Sequence, residues 1–166
     1  MLTVLRHLLA VLMLPVLVAV IVPRWLLRAF ADVDSRWPPG TLARVAWVPG
    51  ALLLVAGVAL VGWCVVLFAR VGKGTLAPWD PTSRLVAVGP YRYTRNPMIT
   101  GVAATLAGQA LLAGSWVVGL WMLVFVAINQ TYFVLVEEPG LERRFGEEYL
   151  AYRRAVPRWV PRGRRA

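Results

Sequence analysis

Two clusters of polar chemistry bracket the longest uncharged run of this chain. The first is Gly89-Pro90-Tyr91-Arg92-Tyr93-Thr94-Arg95-Asn96-Pro97. The second is Glu137-Glu138-Pro139-Gly140-Leu141-Glu142-Arg143-Arg144-Phe145-Gly146-Glu147-Glu148-Tyr149. Asn is among the best residues before a helix and Pro is favoured at its first position, so a helix is predicted to start at Asn96-Pro97. Its free N–H groups then form a ready site for an anion. Glu137-Glu138 reads as a helix end, where the negative pole of the macrodipole disfavours carboxylates. Pro139 adds to this by biasing Glu138 away from helical geometry. Two adjacent acids there require a cationic or hydroxyl-rich partner, either nearby Arg residues or a ligand.

The elements between the clusters must bring them together. Asn96 to Val136 is a run of 41 residues without a charge, about twice the ~20 apolar residues that span a bilayer. Gly114-Ser115, near its middle, offers a turn. Two spans folded as a hairpin return the chain to the face it left, so Arg95-Asn96-Pro97 and Glu137-Glu138 are expected to meet at one membrane surface. That meeting point is the candidate active site.

Two further uncharged stretches, His7 to Pro23 and Ala46 to Ala69, bring the expected architecture to four transmembrane helices in a single all-α domain, residues 1–166. The first stretch resembles a signal peptide in its flanking Arg, but it lacks a clear small-x-small cleavage site, and Pro15 predicts a kink within it. The chain is 59% hydrophobic and only 16% charged, below the ~25% of an average soluble domain. Of 18 positive residues, 14 fall on the N-terminus, residues 70–95 and the C-terminal segment, against four on the first connection. The positive-inside rule then places both termini in the cytoplasm, with the protein in the cytoplasmic membrane.

Net charge is +10, but this distribution favours contact between the basic tail and anionic membrane lipids over nucleic acid as a partner. One His (His7) and one Cys (Cys64) are too few for an ordinary metal site, so no metal is expected. The same scarcity excludes a His-based triad.

The second helix is predicted from about Val45 to Ala69, with Gly57 and Gly62 permitting close helix approach. A polar connection of 26 residues, 70–95, is long enough in so small a membrane protein to be functional. Leu141 to Val156 reads as an amphipathic surface helix on the cytoplasmic side. Arg143–Glu147 and Arg144–Glu148 are spaced for ion pairing there, and Phe145, Tyr149 and Tyr152 lie along one side, a stripe suited to a membrane interface but more simply read as packing. Gln109, Asn129 and Gln130 are expected to face the bundle interior, for interhelical hydrogen bonding or a pocket. Asn129, Phe133 and Glu137 recur every four residues and so share one helix face, the candidate substrate-facing side.

Together the clusters resemble the isoprenylcysteine carboxyl methyltransferase and phospholipid methyltransferase superfamily of integral membrane enzymes. The resemblance rests on Gly89-Pro90-Tyr91, Arg95-Asn96-Pro97, Glu137-Glu138, Leu141, Phe145-Gly146-Glu147-Glu148-Tyr149, Tyr152 and Val156-Pro157. It covers about residues 83–161. It implies S-adenosyl-L-methionine as methyl donor, held in a cytoplasm-facing pocket by Arg84, Leu85, Val86, Tyr91, Arg95, Asn96, Pro97, Met98, Ile99, Glu137 and Glu138. Asn129 and Phe133 would face the acceptor. The sequence departs from the family pattern at Asn96 (usually His), at Ile99 (usually Tyr), and at Phe133, where prenylcysteine enzymes carry an Arg that holds the substrate carboxylate.

The cofactor's chemistry agrees with the residues. A capped helix N-terminus suits its carboxylate, and an acid pair suits its ammonium or ribose. In-line transfer from a sulfonium depends on alignment and exclusion of water more than on acid–base groups. The expected function is therefore methyl transfer to a lipophilic or membrane-associated acceptor: a prenylated carboxylate, a phospholipid amine or a small thiol. A nicotinamide-dependent reductase of similar architecture and a non-catalytic membrane binding protein are the competing classes.

Overall fold

The computed structural model describes residues 15–34, 36–37, 40–72 and 85–160, and every regular element among them is helical. A π-helical turn, Leu17–Ile21, leads into α1, Val22–Ala29. α2 is Thr41–Leu67, extended by a second π turn, Phe68–Gly72. After a short 3-10 turn, Gly89–Arg92, come α3, Pro97–Ala113, and α4, Trp116–Tyr132. A third π turn, Phe133–Glu137, passes directly into α5, Glu138–Phe145, followed by α6, Glu147–Ala155.

Among the described residues two helices are long and apolar enough to cross a membrane, Ala43–Val71 and Trp116–Phe145; the apolar helix Pro97–Ala113 is shorter. At a rise of 1.5 Å per residue the latter reaches roughly 26 Å, short of a ~30 Å hydrocarbon core. Large side chains such as Leu52, Val55, Leu123 and Leu135 are turned outward from the bundle, as expected where the surrounding medium is as apolar as the core.

The most extensive packing is between α2 and α3, and glycine makes it possible. A Cβ on Gly108 would lie 2.6 Å from the Leu54 backbone N and 2.7 Å from Gly50 O, while one on Gly57 would lie 2.6 Å from Gly101 O. Backbone meets backbone here, at two levels seven residues apart on each helix. Gly57 acts as expected from the sequence. Gly62 does not: a Cβ there would meet nothing within 4 Å.

Two prolines shape the other helices. Pro23 has no N–H to give to Ala19 O, or to Val18 O in the wider π register. Both carbonyls find side-chain donors instead: Gln109 Nε2 donates to Ala19 O at 2.6 Å and Trp121 Nε1 to Val18 O at 3.1 Å. These bonds attach the first described helix to α3 and α4, beside a core of Ala19, Val102, Leu106 and Phe125. Gln109 thus makes the interhelical bond its buried polarity required.

Pro139 stands in the same relation to its own π turn, two residues beyond the end. The consequence corrects the expectation that Glu137-Glu138 ends a helix. Both residues keep helical dihedrals, and the Glu138 N–H donates to Phe133 O, five residues back. The wide turn accommodates the proline and the helix runs on. The stop comes instead at Gly146, whose φ of 52° and ψ of −128° leave the helical region and divide the expected surface helix into α5 and α6. Exposed ion pairs among the described residues include Arg153–Glu142 at 3.3 Å, which crosses the bend at Gly146, and Arg154–Glu147 at 3.6 Å, within α6.

At the end of the bundle remote from Glu138, Gly114 takes the left-handed conformation and the Trp37 ring and backbone fill the space where its side chain would be. Ser115 Oγ accepts from Val118 N at 3.1 Å, capping α4, and donates to buried Asp34 Oδ2 at 2.6 Å. A carboxylate at the positive pole of a helix is favourably placed.

Replacing Gly108 by Ala is expected to lower the thermal midpoint of the detergent-solubilised protein, at an overpacking cost of roughly 1–3 kcal/mol. Gly62→Ala should change it little. A thermal unfolding scan of both variants checks the contrast.

Candidate active site

The segment before α3 is pinned from both sides. Val86 and Tyr91 are buried with Cys64 of α2, and Leu60, Leu67, Phe68 and Met98 pack around them. The Phe68 and Tyr91 rings meet edge to face at 5.6 Å. From the other side, Tyr152 Oη donates to Tyr91 O at 2.7 Å, Arg95 N donates to Pro157 O at 2.9 Å, and Thr94 Oγ1 donates to Arg158 O at 2.6 Å. The segment therefore lies between α2 and the C-terminal residues.

Its central charge interaction is buried. Arg95 Nη1 donates to Glu138 Oε1 at 2.7 Å, and Arg158 donates to the same oxygen at 2.9 Å. The Arg95 and Glu138 side chains are only 12% and 11% exposed, so water does little to weaken the pair. Tyr149, almost fully buried, receives a longer contact of 3.5 Å from Arg95 Nη1. Burial above all pushes the Tyr91, Tyr149 and Tyr152 phenols up from their ordinary range, with Cys64 and Glu137 adding to this at Tyr91 and Glu138 at Tyr149. All three are neutral hydroxyls at physiological pH.

Glu137 differs from its neighbour. It is half-buried, and among the described residues it makes neither an ion pair nor a hydrogen bond. Two buried donors close by in the chain also lack acceptors, Arg95 Nε and Asn96 Nδ2. A buried donor left unsatisfied costs on the order of 1–3 kcal/mol, so these atoms mark a place where a ligand's acceptors would be stabilised. Asn96 occupies the position before α3, but its side chain makes no capping bond. Its carbonyl accepts from Thr100 N and Thr100 Oγ1 instead. Pro97 is fully buried at the first position of α3, as expected.

The sequence-predicted residues therefore divide. Tyr91, Arg95, Asn96, Pro97, Met98, Glu137 and Glu138 gather at one end of the bundle, with Val86 beneath them and Leu85 half-buried beside it. Ile99 packs against the core of Ala19, Val102, Leu106 and Phe125. Arg84 lies outside the described residues. Asn129 Nδ2 donates to Phe125 O within its own helix at 2.8 Å. Phe133 is buried, and its ring lies 6.0 Å from that of Trp159.

Sequence reasoning missed the C-terminal contribution. Arg158 was grouped with the basic tail, yet it supplies half of the cationic partnership of Glu138. Trp159 Nε1 donates to Gln130 Oε1 at 2.8 Å, so Gln130 serves the tail rather than another helix of the bundle. Tyr149 and Tyr152 turn inward, in keeping with packing as the role of their stripe. The available signal was local: Val156-Pro157 breaks the helix directly before Arg158, redirecting the chain.

Glu138→Gln is expected to destabilise the protein by about 3–5 kcal/mol, because two partly buried guanidinium groups would share no counter-charge. Glu142→Gln, in an exposed pair, should cost under about 1 kcal/mol. Denaturation of both variants in detergent micelles tests the difference.

Comparison with curated proteins and with solved structures gives no match. The phospholipid methyltransferase family does match, over residues 45–148, from α2 to the first residues of α6. That region includes the orphan donors, the paired acids and the helices that hold them, and it spans more than half of the chain. The chain belongs to the phospholipid methyltransferase family, within the superfamily of integral membrane methyltransferases.

Proposed function

We propose that this protein is an S-adenosyl-L-methionine-dependent methyltransferase acting on a lipophilic acceptor within the membrane. The observation that carries the reading is the coincidence, inside the family-matched region, of an acid without an ion pair or hydrogen bond (Glu137) and two buried donors without acceptors (Arg95 Nε and Asn96 Nδ2), all among the described residues. The cofactor offers the complementary groups: an ammonium and ribose hydroxyls for the acid, a carboxylate or ring nitrogens for the donors. The residues present thus fit it.

In this reading Glu137, Asn96 and Arg95 hold the cofactor, while Tyr91 and Val86 form the wall behind it. Bound S-adenosylmethionine supplies an electrophilic methyl group on a cationic sulfur. The chain's own contribution is alignment and a dry surrounding, which the buried phenols and the aromatic packing of Phe68, Tyr91, Phe133 and Trp159 favour. None of the three buried tyrosines carries charge at neutral pH, so they orient groups rather than accept protons.

The topology that accompanies this reading has four membrane spans in one domain, with the α3–α4 pair as a hairpin and both termini in the cytoplasm of a cell bounded by the cytoplasmic membrane. Reporter fusions near residue 38 and at the C-terminus should land on opposite sides. For the acceptor, a phospholipid amine and a prenylated carboxylate both belong to the proposed class. Phe133, an apolar ring in contact with Trp159, favours an acceptor that needs no cation at that position.

Purified protein in detergent is expected to bind S-adenosylhomocysteine and no nicotinamide nucleotide, as read by isothermal titration. Glu137→Gln should weaken that binding by roughly 1.5–3 kcal/mol, and Glu142→Gln should leave it unchanged. Equal, negligible effects would return Glu137 to a structural role. Radiolabel transferred from the cofactor into a total lipid extract, followed by headgroup analysis, identifies the acceptor; no incorporation would favour a non-catalytic binding protein.

A further inference from the structure

The segment after α6 has no regular structure of its own, yet it makes more long-range polar bonds than its length would suggest. Pro157 O and Arg158 O accept from Arg95 N and Thr94 Oγ1, at 2.9 and 2.6 Å. The Arg158 side chain reaches Glu138 Oε1 at the first turn of α5, at 2.9 Å through Nε and also through Nη2. Trp159 bonds Gln130 of α4 and packs against Phe133. Val156, at the start, is buried. Four consecutive residues thus join the segment before α3 to both α4 and α5. Those are the two sides of the site proposed above.

The charge arrangement gives Arg158 a specific role. Glu138 Oε1 accepts from both Arg95 and Arg158, while Glu137 has no cation beside it among the described residues. A single Arg facing two adjacent acids could pair with either. Arg158 is set by its carbonyl, which accepts from Thr94 Oγ1, and by its guanidinium on Glu138, while the Arg95 backbone is held by Pro157 O one residue earlier; these bonds hold Arg95 at Glu138. Arg95 is also held with its Nε buried and lacking an acceptor.

We propose that residues Val156 to Trp159 form a strap that positions the site, with Arg158 as its positioning residue: its guanidinium anchors the strap on Glu138, so that Pro157 O holds the Arg95 backbone in place and Glu137 is left to meet a cationic or hydroxyl-bearing ligand. Arg158 does not itself touch that ligand. The proposal rests on the cofactor reading above for the ligand's identity, but the strap's mechanical role does not depend on it.

The test uses full-length protein in detergent, with S-adenosylhomocysteine as probe and hydrogen exchange of the peptide covering residues 91–96 as a second readout. Arg158→Ala should weaken binding by about tenfold or more and speed exchange at the Arg95 amide, whose acceptor is Pro157 O. Arg158→Lys keeps the charge and should recover most of the affinity, to within about threefold, although it loses the two-atom grip on Glu138. Arg153→Ala, which removes only an exposed pair with Glu142, should match the wild type in both readouts. The double variant Glu138→Gln/Arg158→Ala should bind no more weakly than the worse single variant, since both act through one contact.

Wild-type affinity and wild-type exchange in Arg158→Ala would overturn the proposal. Losses that simply add in the double variant would also overturn it, because Arg158 would then act independently of Glu138. If the wild type binds no S-adenosylhomocysteine, the cofactor reading fails while the exchange comparison still decides the strap.

Discussion

The site end of this molecule depends on one oxygen atom. Glu138 Oε1 accepts from Arg95 on the segment before α3 and from Arg158 on the segment after α6. Two bonds to backbone carbonyls, from Arg95 N and Thr94 Oγ1, join those segments directly, and a carboxylate on a third element ties their side chains together. Buried ion pairs are poor sources of net stability because desolvation offsets attraction, but they are strict about geometry. An arrangement that tolerates only one partnering suits a place where loops must be held in one register. The cost of bringing three charges into a partly dry cluster is lowered by the neutral phenols around it and by the backbone bonds that set both arginines in place.

The same need to satisfy every buried polar group explains the helices. Pro23 and Pro139 each leave helix carbonyls without donors, and each is preceded by a π turn. For Pro23 the donors come from Gln109 and Trp121, so a local defect in one helix becomes the attachment point for two others. For Pro139 the wide turn delivers Glu137 and Glu138 in mid-helix, with one acid toward the arginines and the other unpaired.

The sequence was most legible where a single residue type has few uses. The start of α3 at Pro97, the turn at Gly114-Ser115 and the close approach at Gly57 all follow from conformational preference alone, and the juxtaposition of Arg95 with Glu138 followed from the length of an uncharged run. What the sequence hid was settled by partners far away in the chain. Whether a proline ends a helix or is absorbed by a π turn depends on which side chains can serve the freed carbonyls. Gly62 has the composition of a contact glycine and opens on nothing, because helix rotation, not residue type, decides which face packs. Arg158 looked like one member of a basic tail, and only the turn after Val156 gives it a carboxylate.

The glycine seam between α2 and α3 also bears on how a greasy molecule reaches the polar end. At Gly57 and Gly108 the two backbones leave no room for a methyl group, and at Gly50 and Gly101 an added methyl would crowd neighbouring side chains and backbone. A crevice too narrow for one carbon cannot admit an acyl chain. For the lipophilic acceptor proposed above, lateral entry is therefore closed along that seam, and its tail would approach on another side of the bundle. The tightest part of the fold thus narrows the paths by which its least soluble partner can arrive.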